Sequence, residues 1–188
     1  MKHNREYEIA WQGLKLGVHT FQYELNDRFV EEKGKEDADF KDLDALVTLR
    51  FDKKNNFFLC HFDIDGSITV ACDRCGDDFK MRLWDEFDLV IKLTGTEEAE
   101  EIDEDSDVVF IPRSETVLDI SNWIYEFLLL SVPLQRVHPE KADGTTECNP
   151  EALKLLDKLT EPEEKPKNDI WKGLEALKDK TNNNRKTK

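Results

Sequence analysis

Residues 57–93 read FFLCHFDIDGSITVACDRCGDDFKMRLWDEFDLVIKL, and the alternation within them decides the fold. Phe58, Cys60, Phe62 and Ile64 recur at every second position, as side chains do on the buried face of a β-strand. Asp65-Gly66 predicts a turn, and Ser67 to Ala71 a short strand that delivers the chain to Cys72-Asp73-Arg74-Cys75-Gly76. From Phe79 to Leu93 the period of two returns, through Met81, Leu83, Phe87, Leu89 and Ile91. The knuckle between these strands places two thiols where both can face one point, and its glycine permits a tight turn beneath them.

Upstream, Tyr7 to Trp11 and His19 to Leu25 alternate as strands, and Leu43 to Phe51 carries Leu43, Ala45, Val47, Leu49 and Phe51 on one face. Asn26-Asp27 predicts the cap of a short helix through Phe29 and Val30 that ends near Gly34, and Lys53 to Asn56 predicts a hairpin turn. Downstream, Glu97 to Asp107 holds 8 acidic residues among 11, a self-repelling run best read as a solvated loop. Val108 to Ile111 is a short strand stopped by Pro112. Asp119 then opens a helix with Ile120, Trp123, Ile124, Phe127 and Leu130 at helical spacing, a core stripe that Pro133 ends. Asn149-Pro150 starts another helix, with Leu153, Leu156 and Leu159 marking its buried side.

These elements predict an α+β fold: an antiparallel, barrel-like β meander with two or three packing helices and a C-terminal helical tail. Residues 1–160 are expected to form one such domain. Residues 161–188 are expected to comprise a linker, a short amphipathic helix bearing Ile170, Trp171, Leu174 and Leu177, and a disordered basic tail. That helix suits either its own domain or the groove of a partner.

Composition narrows the function. The chain has 188 residues, and its 11 Phe and 4 Trp suffice for a real core. No apolar run reaches the roughly 18–20 residues that span a bilayer, and the start leads into no signal-peptide apolar stretch, so a cytoplasmic location without membrane contact is expected. The net charge is −15, and residues 161–188 hold 8 basic against 6 acidic residues, so the acidity is concentrated upstream. Such a body repels nucleic acid in general and favours a basic partner or a locally cationic contact. No Ser/His/Asp grouping, phosphate-cradling loop or paired catalytic carboxylates stands out, and no small-molecule substrate is implied.

In a reducing compartment the four cysteines predict metal binding ahead of disulfides. The candidate ligands are Cys72, Cys75, His138 and Cys148, with zinc the metal such donors suit. Seventy-two residues separate Cys75 from Cys148, so this metal would close a long loop, a spacing unlike that of compact zinc modules. A position just before a helix start, and Arg74 within the knuckle, would favour thiolate. A redox dithiol, or reduced thiols with no ligand, are the alternatives. Cys60 falls on the apolar strand face and reads as core, and His61, on the opposite face, is a spare ligand.

Cys72-Asp73-Arg74-Cys75, the acidic insert, Asp119-Ile120, the segment Leu128 to Leu134 with its Leu-x-x-Pro ending, His138, Cys148 and the closing Trp171-Lys172-Gly173-Leu174 occur in an order that resembles the YceD-type large-subunit ribosomal RNA accumulation proteins. The resemblance spans most of residues 1–178. It implies a non-enzymatic role in the accumulation or maturation of large-subunit ribosomal RNA, with metal binding and nucleic-acid binding. Two mechanisms follow. In one, Arg74, Lys80 and Arg82 beside the knuckle contact RNA phosphates. In the other, the protein is an acidic chaperone that holds a basic ribosomal protein without touching RNA.

Overall fold

The computed structural model describes residues 5–33, 39–95, 108–142 and 144–160. Two compact units divide at Cys148/Asn149. The first holds a five-stranded sheet in the order β2 (Gly17–Asn26), β3 (Phe40–Lys53), β4 (Phe57–Ala71), β5 (Asp78–Thr94) and β6 (Val108–Pro112). A small separate pair joins β1 (Glu8–Ile9) to β7 (Leu118–Asp119). The helices are α1 (Asp27–Glu32) and α2 (Ser121–Leu130) in this unit and α3 (Pro150–Thr160) in the second.

The α+β class is as expected, with two corrections to the sheet. It is not a closed barrel: among the described residues β2 and β6 are its edges. Nor is it wholly antiparallel, because β6 pairs with β5 in parallel. A parallel neighbour requires a long return connection. Here that connection is the acidic insert, which lies outside the described residues, as do Gly34 and everything expected of residues 161–188.

The predicted turn at Asp65-Gly66 is also absent. β4 runs unbroken from Phe57 to Ala71, so Ile64, Ile68, Val70 and then Cys72 all stay on the face that Phe58 began. Gly66 has a packing role instead of a turning one. A Cβ there would stand 2.5 Å from the Ala45 Cα, so only glycine lets β3 and β4 approach beside the register slip between Lys41 and Asp44. The expected Tyr7–Trp11 strand shrinks to Glu8–Ile9 between single turns of 3₁₀ helix.

Other local readings match. Asn26 caps α1, its side chain accepting a hydrogen bond from the Arg28 amide at 3.1 Å. The Asp119 carboxylate accepts from the Ser121 amide at 2.9 Å at the start of α2, although Ile120 occupies the cap position. Ile120, Ile124, Tyr125 and Leu128 of this region are buried, whereas Leu130, expected in the stripe, is 67% exposed. α2 lies on the inner face of the sheet: Phe127 stacks on Phe87 with centroids 4.5 Å apart and meets Phe62 at 5.0 Å. Tyr7, Phe29 and Tyr125 extend this aromatic core, and Trp11 packs on Phe58. In α3, Leu156 and Leu159 are exposed rather than buried. Their spacing gives an amphipathic helix, but spacing does not supply a surface to cover it. Among the described residues no helix is long and apolar enough to cross a membrane.

Candidate metal centre

The knuckle forms because β4 ends in phase. Cys72 continues the buried face of the strand and is 3% exposed. A tight turn then reverses the chain into β5: the Gly76 amide donates to the Cys72 carbonyl at 2.8 Å, and the Cys72 amide donates to the Asp77 carbonyl at 2.9 Å. Gly76 adopts φ +80°, where any side chain would be strained. The turn carries Cys75 to the same side as Cys72.

His138 arrives on the extended segment that follows α2, and that segment is stitched to the knuckle. The Asp73 amide donates to the Arg136 carbonyl at 2.7 Å, while the Arg136 amide donates to the Asp73 carboxylate at 2.6 Å. The Arg136 guanidinium stands 3.8 Å from the same carboxylate and also donates to the Asp39 carbonyl. Phe79, at the start of β5, lies against the His138 ring with centroids 4.6 Å apart. The described residues between His138 and Cys148 do not splay. A bridge between Glu140 and Thr146, with Gly144 at φ +78°, folds them into a narrow hairpin that returns Cys148 to the histidine. The Thr146 hydroxyl accepts from the Cys148 amide at 3.1 Å and fixes the end of this hairpin.

The donor atoms of Cys72, Cys75, His138 and Cys148 all lie within 4.8 Å of one another. Cys72 Sγ is 3.8 Å from Cys148 Sγ, and His138 Nδ1 is 3.5 Å from Cys75 Sγ and 3.7 Å from Cys148 Sγ. With metal–sulfur bonds of about 2.3 Å and metal–nitrogen bonds of about 2.0 Å, the edges of a tetrahedron are roughly 3.5–3.8 Å long. The cluster therefore has the size of a tetrahedral metal site and could hold a metal ion. Burial opposes ionisation of Cys72, but hydrogen bonds from the backbone amides of Cys75, His138 and Arg74, and from the His138 ring, outweigh it and bring the thiol down to about 6. Cys60 shows the opposite behaviour: it is 2% exposed, and burial pushes its thiol up to about 12, as suits a core residue.

The remaining sequence candidates lie elsewhere. His61 is on the outer face of the sheet, its Nδ1 2.7 Å from the Asp88 carboxylate, and it does not join the cluster. Arg74 and Lys80 are exposed beside the knuckle, and Arg82 pairs with Asp65 at 3.2 Å. Sequence reasoning missed Arg136, Phe79 and Thr146 as supports for the centre. The one available signal was an acid in the first ligand segment and a base in the second, which local periodicity does not connect.

Cys72, Cys75, His138 and Cys148 on this α+β unit thus form a cysteine–histidine cluster that could hold a metal ion. A family model described as large ribosomal RNA subunit accumulation protein YceD matches residues 60–178, beginning in β4 and taking in the whole cluster. The chain belongs to that family. No curated protein and no solved structure matched it.

Proposed function

We propose that this protein is a non-enzymatic assembly factor that supports the accumulation and maturation of large-subunit ribosomal RNA in the cytoplasm, and that Cys72, Cys75, His138 and Cys148 hold a structural zinc ion. The observation that carries the reading is the family match over residues 60–178, whose description concerns large-subunit ribosomal RNA. The donor set supports zinc: three thiolates and an imidazole suit a borderline-soft cation and disfavour magnesium or calcium. Bound there, zinc would tie the β4–β5 turn, the segment after α2 and the Glu140–Thr146 hairpin into one body.

Arg74 and Lys80, exposed next to this centre, would contact RNA phosphates, with Arg82 a third contact if its pairing with Asp65 is exchanged. The net charge of −15 favours a second reading, a chaperone that holds a basic ribosomal protein without contacting RNA. Pull-down with and without nuclease separates the two, since partners lost on digestion are held through RNA.

Metal analysis of protein purified without chelator should give close to one zinc per chain, and chelation should lower the melting temperature. A content near zero with unchanged melting removes the zinc centre. Depleting the protein should reduce large-subunit ribosomal RNA relative to small-subunit RNA, and normal levels would remove the assembly role.

A further inference from the structure

The inner face of the sheet is filled by the core, and among the described residues the outer face carries exposed side chains. Strand register sets its side chains in rows, one running Glu24, Leu46, Asp65, Trp84 and the next Gln22, Thr48, Asp63, Glu86. Trp84 is 71% exposed and Leu46 39%. Glu24, Asp44, Asp63, Asp65 and Glu86 are exposed around them. Trp11, by contrast, is buried and Trp123 packs against the core.

Two features of this face cost the free protein stability. An indole left in water on a strand surface forgoes the burial that aromatic side chains contribute elsewhere. Asp63 and Glu86 are direct cross-strand partners whose like charges repel, with the His61 ring 3.9 Å from the Glu86 carboxylate on the same face. The surface is also indented. Beside the register slip between Lys41 and Asp44, a cleft of about 450 Å³ is walled by Glu24, Asp44, Leu46 and Asp65.

The geometry points to this face as the docking surface for an extended, Lys/Arg-rich polypeptide segment. Alternate side chains of an extended chain are roughly 6.6–6.8 Å apart, the same repeat that separates Asp63 from Asp65 and Trp84 from Glu86. A cationic side chain between Asp63 and Glu86 relieves their repulsion. Its neighbour two residues on lies over the Trp84 ring, where a cation is attracted by the ring face, next to Asp65, which Arg82 already holds at 3.2 Å. A polyanion is repelled by the same surface, and a second copy of this chain would oppose acid to acid. Only the identification of the segment as part of a ribosomal protein rests on the function proposed above. The recognition chemistry stands without it.

The test uses the whole protein, with a synthetic peptide alternating Lys or Arg with Ser as ligand and its Gln-substituted counterpart as control. Binding should be restricted to the basic peptide and weaken steeply with salt. Trp84→Ala should weaken it, and a variant combining Glu24→Gln, Asp44→Asn, Asp63→Asn and Glu86→Gln should weaken it at least tenfold. A variant with as many charges removed elsewhere, Glu6→Gln, Glu31→Gln, Glu115→Gln and Glu126→Gln, should bind within twofold of the parent. Equal losses in both charge variants would show general acidity rather than this face, and overturn the proposal. So would an RNA oligonucleotide whose binding depends on Trp84, or self-association abolished by Trp84→Ala. In depleted cells, full rescue by the outer-face variant overturns the docking surface while leaving the assembly role intact. Absence of any ribosomal RNA defect on depletion removes the assembly role alone.

Discussion

Asp73 sits inside the knuckle, and its value to the centre is positional. Its amide and carboxylate hold both backbone groups of Arg136, which sets where His138 begins. Groups that orient metal ligands commonly account for 10–100-fold in affinity, so Asp73→Ala should weaken zinc binding by about tenfold in competition with a chromophoric chelator. The fold should survive, because the core contains none of these atoms. Tyr7 and Tyr23 make a second residue-scale case. Burial raises both phenols from 10 to about 12, with Glu6 and Glu32 adding to the effect at Tyr7 and Tyr7 adding to it at Tyr23. A folded-state value above the unfolded one means that stability from these groups is complete below pH 10 and lost as pH rises towards 12. Alkaline unfolding should therefore begin in that window, with tyrosinate absorbance and loss of far-ultraviolet circular dichroism rising together.

At the scale of elements, β4 is the organising strand. It pairs along its length with β3 and β5, and its buried face runs from Phe58 to Cys72, so the hydrophobic period that builds the core also aims the first thiol. Gly66 is the weak point of this arrangement. Gly66→Ala would press a methyl group against Ala45 and the Asp44 carbonyl. Overpacking of that kind costs about 1–3 kcal/mol. The urea midpoint should fall by the corresponding amount with an unchanged m-value.

For the molecule as a whole, a charge of −15 is a self-repelling load. Salt screens that repulsion within a Debye length, so the melting temperature should rise as sodium chloride is added to a low-salt buffer. A flat or falling response would mean that specific ion pairs outweigh the general repulsion. The described ion pairs, such as Arg28 with Glu32 and Lys41 with Asp78, are largely exposed and contribute little.

The sequence by itself determined the α+β class, the alternating strands, the cap of α1 and the burial of Cys60, and it nominated the four residues that the fold brings together. Each of these rests on a period, a turn residue or a donor type that is written locally. Tertiary structure decided the rest. Glycine reads as a turn signal because it frees the backbone, but at Gly66 what mattered was the space that β3 needed, and no local pattern records a neighbour more than twenty positions away. The parallel direction of β6, the open edges of the sheet and the outward turn of Leu130 depend likewise on which surfaces meet. So does the convergence of Cys72, Cys75, His138 and Cys148: their chemistry was legible residue by residue, but only the Asp73–Arg136 contact and the Glu140–Thr146 hairpin bring the four donors to one point.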